Sequence, residues 1–290
     1  MKKLLFLFCV FAQVLIGTPM VKAASYGWGF KRNNEHKCPD IGFYAREIEG
    51  TSTYYVGSFD YKHVYITFDA GYDNGVLAGI LDVLKEKKIK STFFVTGDFI
   101  KRESELLKRI VNEGHLVGNH TWSHRNITTL SFEELSSELG KVEIAYRNVV
   151  GIEMPKLFRP PAGSFNREAL LRVQKLGYST VFWSIAFKDW DTDNQRGGDY
   201  SYRHIMDNHH NGAIILLHSV SRSNLEALSK IIDSLRHQGY EIQNLDSLIR
   251  LSPPPVVFFI WKLIVIRLCE NRATIAFLLI MGLIVRTKQL

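Results

Sequence analysis

The segment YITFDAGYDNG (65–75) closes an apolar run on one carboxylate, Asp69, just before a glycine-containing turn. Further along, GNHTWSH ends another run with His120 and His124, RPPAG brings Arg159, KDW brings Asp189 and LLHS brings His218. A single histidine at a strand end is more often structural than catalytic. Ionisable groups at the ends of five runs are not accounted for in that way. Two imidazoles spaced i, i+4 across a turn can face one divalent cation and leave positions open for water and substrate. Asp69 is a candidate base to deprotonate a water. Arg159 can pair with a carboxylate, keep it ionised and fix its geometry. His218, with a pKa suited to neutral pH, is a candidate acid for a leaving amine. Asp189 can orient an imidazole or an arginine. The sequence holds no glycine-rich phosphate loop, G-x-S-x-G elbow or H-E-x-x-H pair. The economical chemistry is therefore attack of water on an amide or ester.

Such groups need a scaffold that gathers strand ends. From residue 62 the runs VYITFDA, STFFVTG, HLVGNHT, LFRPPAG, YSTVFWSI, GAIILLHS and a weaker YEIQNLD alternate with segments of helical length. Apolar residues at 76, 77, 80, 81, 83 and 84 mark one helical face. Ser131 with Glu134 three residues on predicts a capping box, and Gly239 after basic residues predicts a helix stop. Strand–helix alternation implies an α/β fold of about seven parallel strands with crossover helices. A barrel and an open doubly wound sheet both satisfy it, and both place the site at the carboxyl ends of the strands.

The flanks differ from this body. Residues 1–23 have Lys2 and Lys3, an apolar stretch from Leu4 to Ile16, and small residues placed for cleavage after Ala23. That is the pattern of a signal peptide, and export is expected; an uncleaved anchor is the alternative. Residues 24–61 read as an extended lead-in that lays Trp28 and Phe30 against a catalytic domain spanning 62–250. Residues 251–290 form a tail in which Pro253 to Pro255 precede two apolar runs, 256–268 and 273–285. Each run is short of the ~20 residues that span a bilayer, and association with a membrane surface is the expectation. Cys9 falls in the signal segment, and a disulfide between Cys38 and Cys269 stays open. The net charge of +7 suits either plain solubility or an anionic polymer such as a bacterial wall. No nucleic-acid motif accompanies it, and a monomer is expected.

The ordered set TFDAG, HTWSH, RPPAG, KDW and LLH, over about residues 60 to 250, resembles the five motifs of the polysaccharide deacetylase family, carbohydrate esterase family 4 with its NodB-homology fold. WGFKR, KDWDTDNQRGG and LLHSVSRSN are similar to the sporulation deacetylases that act on N-acetylmuramic acid of peptidoglycan on the way to muramic δ-lactam. The resemblance implies a distorted (β/α) barrel, peptidoglycan glycan strands as partner, and the cell wall or spore cortex as location. It implies Asp69 as general base, His120 and His124 as ligands of a divalent metal (zinc, manganese or cobalt), Arg159 as the residue orienting Asp69, and His218 as general acid. The Ala162 N–H would help hold the oxyanion, Trp190 and Leu216 would wall the sugar pocket, and Tyr72 would join them on the substrate side. Two positions depart from the family pattern. Ala70 stands where a second aspartate usually ligates the metal, so weaker binding is expected; Asp73 is a poor substitute, because Gly71 and Tyr72 carry it away. Ala186 stands where the fourth motif often has an earlier aspartate. A glycan-binding protein without turnover, or an enzyme for N-acetylglucosamine polymers, are the alternatives.

Overall fold

The computed structural model describes residues 24–33 and 35–251. The signal segment, the apolar tail and Cys269 lie outside the described residues; Cys38 is half-buried and has no disulfide partner among the described residues. The seven apolar runs all form strands: β3 (His63–Ala70), β4 (Thr92–Val95), β5 (Leu116–Asn119), β6 (Leu157–Phe158), β8 (Ser179–Val181), β9 (Ala213–His218) and β10 (Glu241–Gln243). They pair in parallel, with β3 in the centre: β9 lies along one edge, while β10 and β4 share the other. From β4 the sheet continues through β5 and β6 to β8. The chain just past β8 then reaches back to β9, where Ser184 N donates to Ile214 O (2.9 Å) and Leu216 N donates to Ile185 O (2.9 Å). With Ile185 N donating to Ile214 O (3.2 Å), three backbone bonds and one bridge, Ile185 to Ile215, thus join the curled sheet's far side to its start. The alternative of an open sheet gives way to a distorted barrel.

The lead-in is more structured than its lack of periodicity suggests. β1 (Tyr26–Gly27) pairs antiparallel with β7 (Ser164–Phe165), a short helix α1 covers Tyr44–Ile48, and β2 (Thr53–Tyr54) adds an eighth strand to the sheet beside β8. β1 and β2 sit in no alternating run, whereas β6, equally short, is marked by the run LFRPPAG. The segment is held by Trp28, which stacks on Phe182 (4.2 Å between centroids, 10° between planes) and donates from Nε1 to Trp183 O (2.9 Å).

Period two along β3 decides what each side chain meets. Val64, Ile66, Phe68 and Ala70 face the layer of helices, packing with Leu77, Ile80, Leu81 and Leu84 of α2 (Leu77–Glu86) and with Ile231 and Leu235 of α8 (Arg222–His237). Tyr65 faces inward among Phe94, Leu157, Val181 and Ile214. Thr67 and Asp69, on the same side as Tyr65, follow it up to the carboxyl end of the barrel. Between these lie α3 (Gly97–Arg102), α4 (Ser104–Asn112), α5 (Phe132–Val150), α6 (Arg167–Lys175) and α7 (Gly198–Met206). A capping box at Ser131 and Glu134 opens α5 as expected, and Gly239, with φ of 81°, follows α8. Among the described residues no helix is long and apolar enough to cross a membrane.

Candidate active site

Parallel register places Asp69 of β3 directly opposite His218 of β9. The two sit at the carboxyl ends of adjacent strands and face one open cleft of about 1390 Å³. Beneath Asp69 lies Arg159, wholly buried just past β6. Its Nη1 donates to Asp69 Oδ1 (2.8 Å), Nη2 to Thr67 Oγ1 (2.9 Å) and Nε to Val181 O (3.1 Å), while Phe94 covers its guanidinium face at 4.1 Å. Thr67 Oγ1 in turn donates to Ile215 O (2.7 Å). Burial opposes ionisation of Asp69, but Arg159, and then His120 and His218, outweigh it and hold the carboxyl below its ordinary range. Asp69 is therefore a fixed carboxylate with Oδ1 tied down and Oδ2 turned to the cleft.

His120 follows β5. Its Nδ1 bonds the Arg159 carbonyl (2.8 Å), an acceptor, so Nδ1 carries the proton and the Nε2 lone pair faces Asp69 Oδ2 at 3.6 Å. Burial pushes its pKa down to about 4, which keeps the ring neutral and able to ligate. The His124 ring stands 5.0 Å from it, and burial lowers that pKa as well. Three non-glycine residues around the cleft, Thr121, His124 and Ala162, hold left-handed φ of 65°, 56° and 52°. Side chains rarely adopt that region, and its concentration at one site marks a geometry that the surroundings impose.

The second charged pair is built the other way round. Asp189 is buried on the long segment after β8; its Oδ1 accepts from His218 Nδ1 (2.7 Å), and its Oδ2 accepts from the His218 backbone N–H (2.8 Å) and from Asn224 Nδ2 (2.5 Å). Desolvation works against a proton on His218, yet the bond and charge of Asp189 prevail and raise its pKa. With Nδ1 engaged, Nε2 is the atom that presents a proton to the cleft.

Tyr72, Ala162, Trp190 and Leu216 all line the same cleft. Thr67 and Asn224 escaped notice there. Thr67 lies two residues before Asp69 on the same strand face, a signal that period two contained. Asn224 becomes a partner of Asp189 only through the turn into α8, which spacing does not reveal. Trp122, Phe187, Lys101 and Arg32 also reach the cleft unannounced.

A divalent ion fits the donor set in part. His120 Nε2, His124 and the free edge of Asp69 are of the right type, but among the described residues no three His, Cys, Asp or Glu side chains converge on one ion position. Ala70 supplies nothing, its methyl being on the helix side. Asp73 is spent elsewhere: its carboxylate accepts from Gly75 N (3.0 Å) and Leu77 N (3.1 Å) at the start of α2. The residues thus fit a two-imidazole site whose remaining positions belong to water or substrate.

These features define a family, and comparison confirms it. A profile described as polysaccharide deacetylase matches residues 57–181, and the chain belongs to the polysaccharide deacetylase family. It is 43% identical to the peptidoglycan-N-acetylmuramic acid deacetylase PdaA of Bacillus subtilis over 222 residues, covering 76% of this chain and 84% of that one. The PdaA structure, described as a family 4 carbohydrate esterase, superposes with a TM-score of 0.76 at 42% identity over 79% of this chain and 98% of that one. A peptidoglycan-N-acetylglucosamine deacetylase of Bacillus cereus is 32% identical, covering 71% of this chain and 74% of that one. A structure from Bacillus anthracis described as a family 4 pseudoenzyme, BA3943, gives a TM-score of 0.63 at 32% identity over 68% of either chain.

Proposed function

We propose that the protein is an exported hydrolase that removes acetyl groups from N-acetylmuramic acid in peptidoglycan glycan strands, a step on the route to the muramic δ-lactam of spore cortex. The observation that carries this reading is the pairing of Asp69, whose pKa Arg159 holds down, with His218, whose pKa Asp189 raises, across one cleft. Similarity to PdaA favours muramic acid over glucosamine as the substrate. The predicted signal segment supports export to the wall.

The chain's own groups suffice to write the proton movements. Asp69 Oδ2 takes a proton from the water as it attacks the acetamide carbonyl. The tetrahedral oxyanion forms near the Ala162 backbone, whose N–H is offered to it as a donor. His218 Nε2 gives its proton to the sugar nitrogen as the C–N bond breaks, releasing acetate and leaving the amine on the sugar. Asp189 keeps the resulting neutral imidazole in place and favours its reprotonation. Trp190 and Tyr72, both half-exposed, offer aromatic faces to the sugar rings. A divalent ion held by His120 and His124 would supply Lewis-acid polarisation of the carbonyl oxygen.

The B. anthracis pseudoenzyme shows that this fold also occurs without turnover, so a glycan-binding role is the competing reading. A binder needs neither an ionised base nor a protonated acid. The deciding experiment incubates the purified protein with intact peptidoglycan and with peptide-free glycan strands, with and without divalent ions. Acetate release, with a mass loss of one acetyl on muramic acid, is expected; binding without acetate would overturn the proposal.

A further inference from the structure

The cleft carries more positive charge than its chemistry uses. Asp69 is balanced by Arg159, Asp98 by Arg102 (3.0 Å), and Lys188 by Asp191 (2.8 Å). Two lining cations, Arg32 and Lys101, have no carboxylate within ion-pair distance among the described residues. Lys101 lies over the Trp122 ring at 4.3 Å on the exposed side of α3. Arg32 is placed differently. Its Nη2 donates to the Ala186 carbonyl (2.6 Å), and the lead-in that bears it is pinned by Trp28 on Phe182. Ala186 follows Ile185, whose carbonyl bonds Leu216 N. That puts it about level with Leu216, two residues or ~7 Å along the strand from His218. Ala186 is also the position at which the family's motif often has an aspartate. With alanine there, the guanidinium keeps four N–H donors with no carboxylate to take them.

We propose that Arg32 is a specificity-determining residue that binds the free lactyl carboxylate of a muramic acid unit while its acetamide sits between Asp69 and His218. This rests on the deacetylase reading above. The lactyl ether stands on the ring carbon next to the one bearing the acetamide, so the two groups lie about one sugar substituent apart. A planar guanidinium already fixed by one bond is suited to a carboxylate, which it grips with two parallel N–H bonds. A glucosamine unit offers a neutral hydroxyl there, and a muramic acid carrying its stem peptide offers an amide. Arg32 thereby selects both the sugar and its peptide-free state.

The test compares kcat/KM on peptide-free strands with kcat/KM on the same strands after the lactyl carboxyls are reduced to alcohols. Wild type should prefer the acid by about 10–100-fold, the range of a charge-assisted pair. Arg32→Ala should abolish the preference, and Arg32→Lys should keep part of it. Ala186→Asp, which leaves Arg32 intact and gives it an internal carboxylate, should weaken the preference as well. The same ratios are read by calorimetric binding to the Asp69→Asn protein, so a failure of turnover, which would sink the deacetylase reading, leaves the Arg32 result readable. A preference retained in Arg32→Ala overturns the inference. So does an Arg32 effect confined to peptide-bearing strands, which would assign the guanidinium to stem-peptide carboxylates instead.

Discussion

Replacing Asp189 by asparagine isolates the acid half of the site. The side chain keeps its shape, but the charge that holds a proton on His218 is gone. Asp189 now accepts three bonds, from His218 Nδ1, the His218 N–H and Asn224 Nδ2. An amide has one acceptor oxygen, so at least one of these donors loses its partner or meets another donor. A charge-assisted bond contributes about 1.5–3 kcal/mol, and 1.36 kcal/mol corresponds to one pKa unit. His218 should therefore titrate lower than in wild type, because burial, which opposes its charge, is no longer outweighed. The sign follows directly. The acid works only when protonated, so activity falls as pH rises through the His218 pKa; lowering that pKa moves the alkaline limb toward acid. The stability contribution has the same sense: a raised histidine pKa stabilises the fold below the unfolded value of about 6.5 and is lost above the folded value. The assay is acetate release from peptide-free glycan between pH 5 and 9. In the variant, kcat at neutral pH should drop by about 10²–10⁴, the usual worth of a general acid. An alkaline limb that stays in place while kcat falls would refute the assignment of His218 as the acid that Asp189 sustains.

Arg159→Met should leave Asp69 as a buried carboxylate without its cation, destabilising the protein by about 3–5 kcal/mol in urea denaturation; Arg159→Lys should recover part of this, and equal stability of Met and wild type would contradict the pairing. In the same Met variant, carried through a pH profile, the acid limb of activity should move to higher pH, since the largest influence lowering the Asp69 pKa is removed. Ala70→Asp buries a carboxylate at a fully enclosed position on the helix side of β3, so the ion-free variant should melt below wild type; if the strand end shifts to bring that carboxylate to a cation, zinc restores much of the melting temperature. A loss that zinc does not touch would place residue 70 outside the ion's surroundings. Trp190→Ala should raise KM for glycan by about tenfold with kcat little changed, as expected of a stacking surface distant from the acetamide; a selective fall in kcat would argue against that role.

How much of this was legible in the sequence depended on how each residue makes its contacts. The seven strands marked by apolar runs and the capping box of α5 rest on local pattern and on a side chain bonding its own neighbourhood, both of which spacing records. Asp69, His120, Arg159, Asp189 and His218 were found because parallel strands end on one face, so residues remote in sequence can be assigned a common neighbourhood from topology alone. β1 and α1 were not, because they gain their stability from Trp28, Phe165 and Phe182 packing across the fold rather than from a local period, and β2 carries no alternation of its own. Asn224 and Arg32 were missed for a related reason. Each meets its partner through the path of a loop, and a loop's path is decided by what it packs on, not by a period.

Under the proposed function, the two charged pairs would let one cleft hold a base and an acid together. Two free carboxylates and an imidazole in one pocket would share protons according to their ordinary affinities, and neither role would be secure. Here the fold buries a different partner on each side. On the Asp69 side the buried member is the cation, Arg159, so the group facing the cleft is the carboxylate, stripped of its proton. On the His218 side the buried member is the carboxylate, Asp189, so the group facing the cleft is the imidazole, its affinity for a proton raised. Exchanging the signs of the buried partners would invert both roles, which is why neither Arg159 nor Asp189 can be treated as mere support. Ala70 fits the same logic. A second carboxylate beside Asp69 would draw on the same cation and raise Asp69's affinity for a proton unless a metal ion neutralised it. Without that carboxylate, Asp69 keeps its charge chiefly through Arg159, and the proposed base would not depend on how tightly the two imidazoles hold an ion.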